Sequence, residues 1–103
     1  MIVVVDTAAL TTRLDEPEDV RRFHAEVHGG GGDAELLEAL GGVGRPDPDG
    51  DHLWVRIDAL RRLAEGRVPD GWDGDLQGMV DVAASKGWQS PDSTEIRAHV
   101  ERP

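Results

Sequence analysis

The stretch of residues 52–66 constrains the fold most, because its hydrophobic repeat changes from every second residue to a helical spacing without an intervening loop. As a strand, its first part has an aliphatic face and a mixed face, formed by Leu53, Val55 and Ile57 and by His52, Trp54 and Arg56. After Asp58 the apolar residues follow a helical repeat, and Gly66 suits a left-handed helix end. The segment therefore predicts a strand that runs directly into a helix.

Two further segments are predicted to be strands of the same sheet. Residues 2–5 form an uninterrupted, mostly β-branched run, which is typical of a central strand buried on both faces. Residues 94–101 alternate, with Ile96, Ala98 and Val100 on one face. A strand at this end of the chain persists only when it is paired. We therefore expect it to lie beside one of the other two strands.

Helices are predicted for the segments between these strands. Asp15, Pro17 and Glu18 supply a helix cap, a first-turn proline and a reciprocal cap, which predict a helix over residues 15–28. The glycine run at residues 29–32 ends this helix. Apolar repeats predict three more helices, between Asp33 and Gly41, Asp58 and Gly66, and Asp73 and Gly87.

The predicted fold is α+β, with a single domain over residues 1–103. A small three-stranded sheet, with the N-terminal strand in its centre, is covered on one face by about four helices. The elements follow one another in the order β-α-α-β-α-α-β. Trp72, before the last helix, is expected to cover the end of the core, and Trp88, just after that helix, is expected to fold back on its last turn.

The charge of the chain limits its partners. There are 21 acidic residues against 11 basic ones, so the formal net charge is -10. Because affinity for duplex nucleic acid comes mostly from neutralising phosphates, this balance argues against nucleic acid and equally against anionic membrane surfaces. The acidity is compatible with ordinary solubility or with docking onto a basic partner protein.

Composition also limits location and chemistry. The chain has no cysteine, which excludes disulfides, thiolate metal sites and thiol nucleophiles. No segment has the features of a secretory signal or the apolar length of a membrane helix, so we expect a cytoplasmic protein. Ten of the eleven cations are arginine, and glycine, alanine, valine and aspartate are abundant, a bias typical of a GC-rich bacterial genome.

Histidine spacing raises the question of a metal site. His24 and His28 stand four apart on the predicted helix and could bind a metal together with His52 or His99 from a strand. However, Ala25 occupies the place of the glutamate in a HExxH zinc site. We therefore expect solvent-facing histidines and no metal or cofactor.

Two other patterns are typical of loops rather than of ligand sites. Asp47, Asp49 and Asp51 alternate like calcium ligands, but the loop lacks the glutamate that closes an EF-hand. The glycine run at residues 29–32 lacks the lysine and hydroxyl residue of a phosphate-binding loop. We expect a solvated turn and a flexible connection.

A polar sheet face is the best candidate for a ligand site. If the strands at residues 52–57 and 94–101 are neighbours, His52, Trp54, Arg56, Arg97 and His99 share one side of the sheet. Arginine could bind an anion, tryptophan could stack on an aromatic group, and histidine could exchange a proton near neutral pH. The alternative is a solvent face with cross-strand ion pairs.

The leading functional hypothesis is a non-catalytic acidic module that binds another protein in a bacterial cytoplasm. The excess of negative charge motivates it, together with the lack of a catalytic triad order, a nucleophile elbow or a dinucleotide fingerprint. The alternative is a small enzyme or ligand-binding protein that uses the polar sheet face. Whether the protein is an enzyme therefore stays open at this point.

Overall fold

The computed structural model describes residues 1–103 and contains six strands and three helices. The strands are β1 (Ile2–Asp6), β2 (Thr11–Asp15), β3 (His24–His28), β4 (Gly44–Pro46), β5 (His52–Arg56) and β6 (Glu95–Glu101). The helices are α1 (Asp33–Leu40), α2 (Ile57–Ala64) and α3 (Trp72–Ser85). All six strands form one mixed sheet in the order β2-β1-β3-β6-β5-β4, which curls into a half-barrel.

The predicted three-stranded sheet under four helices is wrong. The sheet has six strands and the protein has three helices. The sequence patterns predict none of β2, β3 and β4, which are the three additional strands. β1 does lie inside the sheet, but its neighbours are antiparallel β2 and parallel β3 rather than β5 or β6. β6 does lie beside a predicted strand, since it pairs antiparallel with β5 over five residue pairs.

The largest difference concerns residues 15–28, where the sequence predicts a helix. Glu16 has a positive φ of 49°, so the expected capping turn does not form. Residues 16–23 form turns, and β3 then pairs in parallel with β1 along its whole length. Ala25 and Val27 of β3 are buried in the core. Backbone pairing with β1 on one side and β6 on the other therefore outweighs the local helix signals.

The junction between β5 and α2 agrees with the sequence prediction. β5 ends at Arg56 and α2 begins at Ile57, with no loop between them. Ile57, predicted to lie on the aliphatic face of the strand, therefore belongs to the helix, and Asp58 lies in its first turn. The abrupt change of direction places the polar side chains of β5 on the outside of the sheet while α2 packs into the core.

A single core of 21 buried residues joins the inner face of the sheet to all three helices. Its fully buried large side chains include Leu14, Leu40, Leu53, Leu60, Leu76 and Ile96. Burial of one such side chain stabilises a fold by roughly 1.5–3 kcal/mol. None of the three helices combines the length and hydropathy that crossing a bilayer requires.

Trp72 fixes the position of α3 relative to the loop before β3. Its side chain is buried, as expected, and its Nε1 donates a hydrogen bond of 2.7 Å to the carbonyl oxygen of Pro17. The N-terminal ammonium of Met1 donates to the carbonyl oxygens of Asp19 and Arg22 in the same loop. This loop and α3 are therefore held side by side.

Candidate functional site

The outer face of β5 and β6 brings together the residues that the sequence singles out. The register pairs His52 with His99, Trp54 with Arg97, and Arg56 with Glu95. Because the inward-facing residues alternate with these, the five predicted ligand residues lie on one side of the sheet. The predicted strand pairing is therefore present, while the use of this face as a ligand site stays a prediction.

The loop between β4 and β5 covers part of this face with carboxylates. Arg97 Nη2 donates to Asp49 Oδ2 at 2.6 Å, and His52 Nδ1 lies 2.8 Å from the same oxygen. Arg97 Nε lies 3.3 Å from Asp47 Oδ2, yet it is buried and makes no well-directed hydrogen bond. The His52 ring also meets the His99 ring edge-on, with centroids 5.6 Å apart.

Local hydrogen bonds favour the ionised form of two of the three aspartates in this loop. The pKa of Asp47 is lowered, first because its carboxylate accepts the backbone N–H of Asp49 and then because it accepts the Trp54 indole N–H. The pKa of Asp49 is lowered in the same way by the backbone N–H of Asp51 and by His52. Both carboxylates point at side chains of the sheet.

Trp54 and Arg56 are also engaged within the chain. Trp54 Nε1 donates to Asp47 at 2.9 Å, and the guanidinium of Arg45 lies 5.5 Å from its ring centroid. Arg56 makes two hydrogen bonds to Asp58, of 3.1 and 3.2 Å. The cations of this face are therefore paired, but with carboxylates of the β4–β5 loop and of α2 rather than across the strands, and each such surface pair is of modest energy.

An open groove of about 790 Å³ lies beside this face, between α3, the loop before β3 and the first part of β6. The strands β3 and β6 pair only at Ala25 with Val100 and at Glu26 with Glu101. The groove lies along the earlier part of β6, which is not paired with β3. The apolar part of its lining includes Phe23, Met79, Val82 and Trp88. Three of the predicted ligand residues also line it, namely His52, Arg97 and His99.

Two side chains of this groove are unusually exposed for their type. Val82 is 55% exposed and Trp88 is 44% exposed, and they are two of only four large hydrophobic residues exposed in the protein. The backbone N–H of Trp88 donates to the carbonyl oxygen of Ala83 at 2.8 Å, as in a helix-end motif. The backbone of Trp88 thus folds back on the last turn of α3, as the sequence predicts, while its ring stays partly exposed.

Sequence reasoning did not identify this groove. Met79 lies within the apolar repeat that predicts the last helix, and Phe23 lies within the predicted helix over residues 15–28, which does not form. Trp54 and Arg56, which were predicted to belong to one site with His99, do not line the groove. Arg56 instead borders a smaller depression formed with α2 and α3. The spacing of apolar residues in α3 could not show which of them the loop before β3 leaves uncovered.

A second cluster of polar side chains lies on the outer face of β3. His24 Nε2 is 3.5 Å from Glu26 Oε2 and 3.6 Å from Glu101 Oε2, and His28 Nε2 is 3.2 Å from Glu26 Oε1. His24 and His28 were expected to share a helix face, and on β3 they share a strand face instead. The ligand atoms of His24, Glu26 and Glu101 lie close enough together to bind a metal ion.

Comparisons with known proteins give no family for this chain. No protein-family model matches it, and no curated protein and no solved structure shows significant similarity to it.

Proposed function

We propose that the protein is a non-catalytic interaction module that binds another protein by taking an apolar segment of it into the groove between α3 and β6. The observation that carries this proposal is that two exposed apolar side chains, Trp88 and Val82, line the same open groove. Exposed apolar side chains that are grouped in one place are typical of interaction sites. Tryptophan is also among the residues that contribute most to binding at such sites.

The shape of the groove suits a polypeptide chain. The groove is open to solvent and follows α3, from Asp75 near its start to Lys86 just after its end. Gly74 and Gly78 line it, and a methyl group added at either would meet no atom within 4 Å. Because glycine leaves no side chain in the way, the backbone of a partner can approach α3 closely at these positions.

The charge that suits a basic partner is that of the whole chain rather than that of the groove. The groove is lined by three cations, Arg21, Lys86 and Arg97, and by one acidic residue, Asp75. We attribute the affinity of binding to apolar contacts in the groove. The net charge of -10 increases the rate at which the protein encounters a basic partner.

The alternative hypothesis, a small enzyme or ligand-binding protein that uses the polar sheet face, has less support. An anionic ligand would have to compete with Asp49 for Arg97 and with Asp58 for Arg56. His52 also contacts Asp49. A polar face whose cations are already paired favours a structural role for these residues over direct ligand contacts.

Co-purification tests the proposal, using a matched pair of exposed apolar residues. Tagged wild-type protein and the variants Val82→Asp and Leu37→Asp would be expressed in cells of the organism that carries the gene. Leu37 lies on α1 outside the groove and is 54% exposed, which matches Val82. We expect one protein to be enriched stoichiometrically with wild type and with Leu37→Asp, and to be lost with Val82→Asp. Equal enrichment with both variants would contradict the proposal.

A further inference from the structure

We propose that His24, Glu26 and Glu101 bind a divalent transition-metal ion, for which Zn²⁺ is the probe. The proposal concerns the outer face of β3 and β6 and does not depend on the groove. One ligand atom from each of these residues lies within 4.8 Å of the others. An imidazole nitrogen with two carboxylate oxygens is a ligand set that zinc accepts in proteins.

The interatomic distances are close to those that a tetrahedral ion requires. Bonds of about 2.0–2.2 Å to nitrogen and oxygen place tetrahedral ligand atoms about 3.3–3.6 Å apart. His24 Nε2 already lies 3.5 Å from Glu26 Oε2 and 3.6 Å from Glu101 Oε2. Two of the three separations therefore fit the ion as they stand, and the ligand atoms of the two carboxylates lie no more than 4.8 Å apart.

The electrostatics of the cluster also favour a cation. Glu26 and Glu101 are directly opposite each other on the parallel strands β3 and β6. No arginine or lysine forms a salt bridge with either carboxylate, and their only charged or chargeable partners are His24 and His28. Like charges placed opposite each other on neighbouring strands are destabilising. A bound dication would remove this repulsion.

The surroundings of the cluster orient its ligands. The side chains of His24 and Glu26 are 25% and 27% exposed, so the site is reachable but only partly hydrated. His28 Nε2 contacts Glu26 Oε1, which directs the other oxygen of Glu26 towards His24. We assign His28 the part of a positioning residue, since partners that orient a ligand typically change metal affinity by about 10–100-fold. Three protein ligands leave a fourth tetrahedral position for solvent or for a side chain of a partner.

Zinc titration of the chelator-treated protein tests the proposal. Isothermal calorimetry and native mass spectrometry should show one Zn²⁺ per chain, and Zn²⁺ should raise the melting temperature. We expect His24→Ala and Glu101→Gln each to weaken zinc affinity at least tenfold and to abolish the thermal shift. Glu101 is 59% exposed, so Glu101→Gln should leave the fold intact, which circular dichroism would check.

His52→Ala is the matched control, because His52 contacts a carboxylate of the same sheet face but lies outside the cluster. It should bind Zn²⁺ as wild type does. Absence of saturable binding would overturn the proposal. Binding that survives both His24→Ala and Glu101→Gln, or that is lost with His52→Ala, would overturn it as well, because the ion would then lie elsewhere.

Discussion

Glu26 and Glu101 lie directly opposite each other where the parallel strands β3 and β6 meet, and histidines are the only chargeable side chains that contact them. The pair stands at the short junction between two halves of the sheet, since β3 and β6 share only two residue pairs. The carboxylates therefore place like charge at the sheet's narrowest connection.

This geometry predicts a stability change that depends on metal. In the presence of chelator at pH 8, Glu101→Gln should increase the free energy of unfolding by a few tenths of a kcal/mol, because it removes like-charge repulsion. With saturating Zn²⁺ the order should reverse, since the variant loses a ligand. Urea denaturation under both conditions measures the difference, and a variant less stable than wild type in chelator would contradict the repulsion.

Gly78 predicts a gain of stability together with a loss of binding. A methyl group at this helical position meets no atom within 4 Å, and alanine is a better helix former than glycine. Gly78→Ala should therefore raise the free energy of unfolding by about 0.5–1 kcal/mol. If the groove binds a partner, the same change should weaken that binding. Unchanged stability in urea denaturation would argue against the helix assignment at this position.

Gly29 is the contrasting position. Its φ is +97°, and an added Cβ would lie 2.5 Å from Thr7 Oγ1 and 2.7 Å from the backbone nitrogen of Ala8. Gly29→Ala should therefore destabilise the protein, whereas Gly78→Ala should stabilise it. Thermal unfolding of the two variants side by side gives opposite shifts if the backbone geometry is correct.

The sequence allowed the β5-to-α2 junction and the β5–β6 face to be predicted, because the hydrophobic period changes abruptly next to Asp58 and both strands alternate regularly. β4 could not be predicted, since it has three residues and one of them is proline. β3 does alternate, with Ala25 and Val27 inward. The helix-start signals at residues 15–18 nevertheless predict a helix there, because a five-residue alternation is too short to contradict them.

The candidate sites depend on contacts that no local pattern encodes. The metal cluster requires Glu101 to meet β3, which is a pairing of segments more than seventy residues apart. The groove requires Trp72 to attach α3 to Pro17, and that hydrogen bond joins residues 55 positions apart. Sequence periodicity could identify the faces of single elements, but not which faces would be brought together.

The Trp72 contact predicts a measurable loss of stability. Trp72→Phe keeps an aromatic side chain in the core but removes the buried donor to the Pro17 carbonyl oxygen. We expect the free energy of unfolding to fall by about 1–2 kcal/mol. Trp54→Phe loses a partly buried bond to Asp47 and should cost less. Chemical denaturation of the two variants checks the order, and equal losses would contradict it.

Asp92 predicts a pH dependence in the turn before β6. Its carboxylate accepts hydrogen bonds from the hydroxyls of Thr94 and Ser90, which lower its pKa from 3.8 to about 2. A lowered pKa in the folded state stabilises the fold above the unfolded-state pKa, and this contribution disappears as the pH falls from about 4 to about 2. Asp92→Ala should therefore be less stable than wild type at pH 7, and the difference should shrink below pH 4. A difference that is the same at pH 7 and pH 2.5 would contradict the assignment.

Photo-crosslinking from the groove tests the central claim most directly. A photoreactive phenylalanine analogue would replace Trp88 in one variant and Leu37 in a second variant. Cells of the organism that carries the gene would express each variant and would then be irradiated. The groove account predicts one prominent adduct from position 88, absent from position 37 and lost when Val82→Asp is added. The same adducts from both positions, or none from position 88, would contradict it.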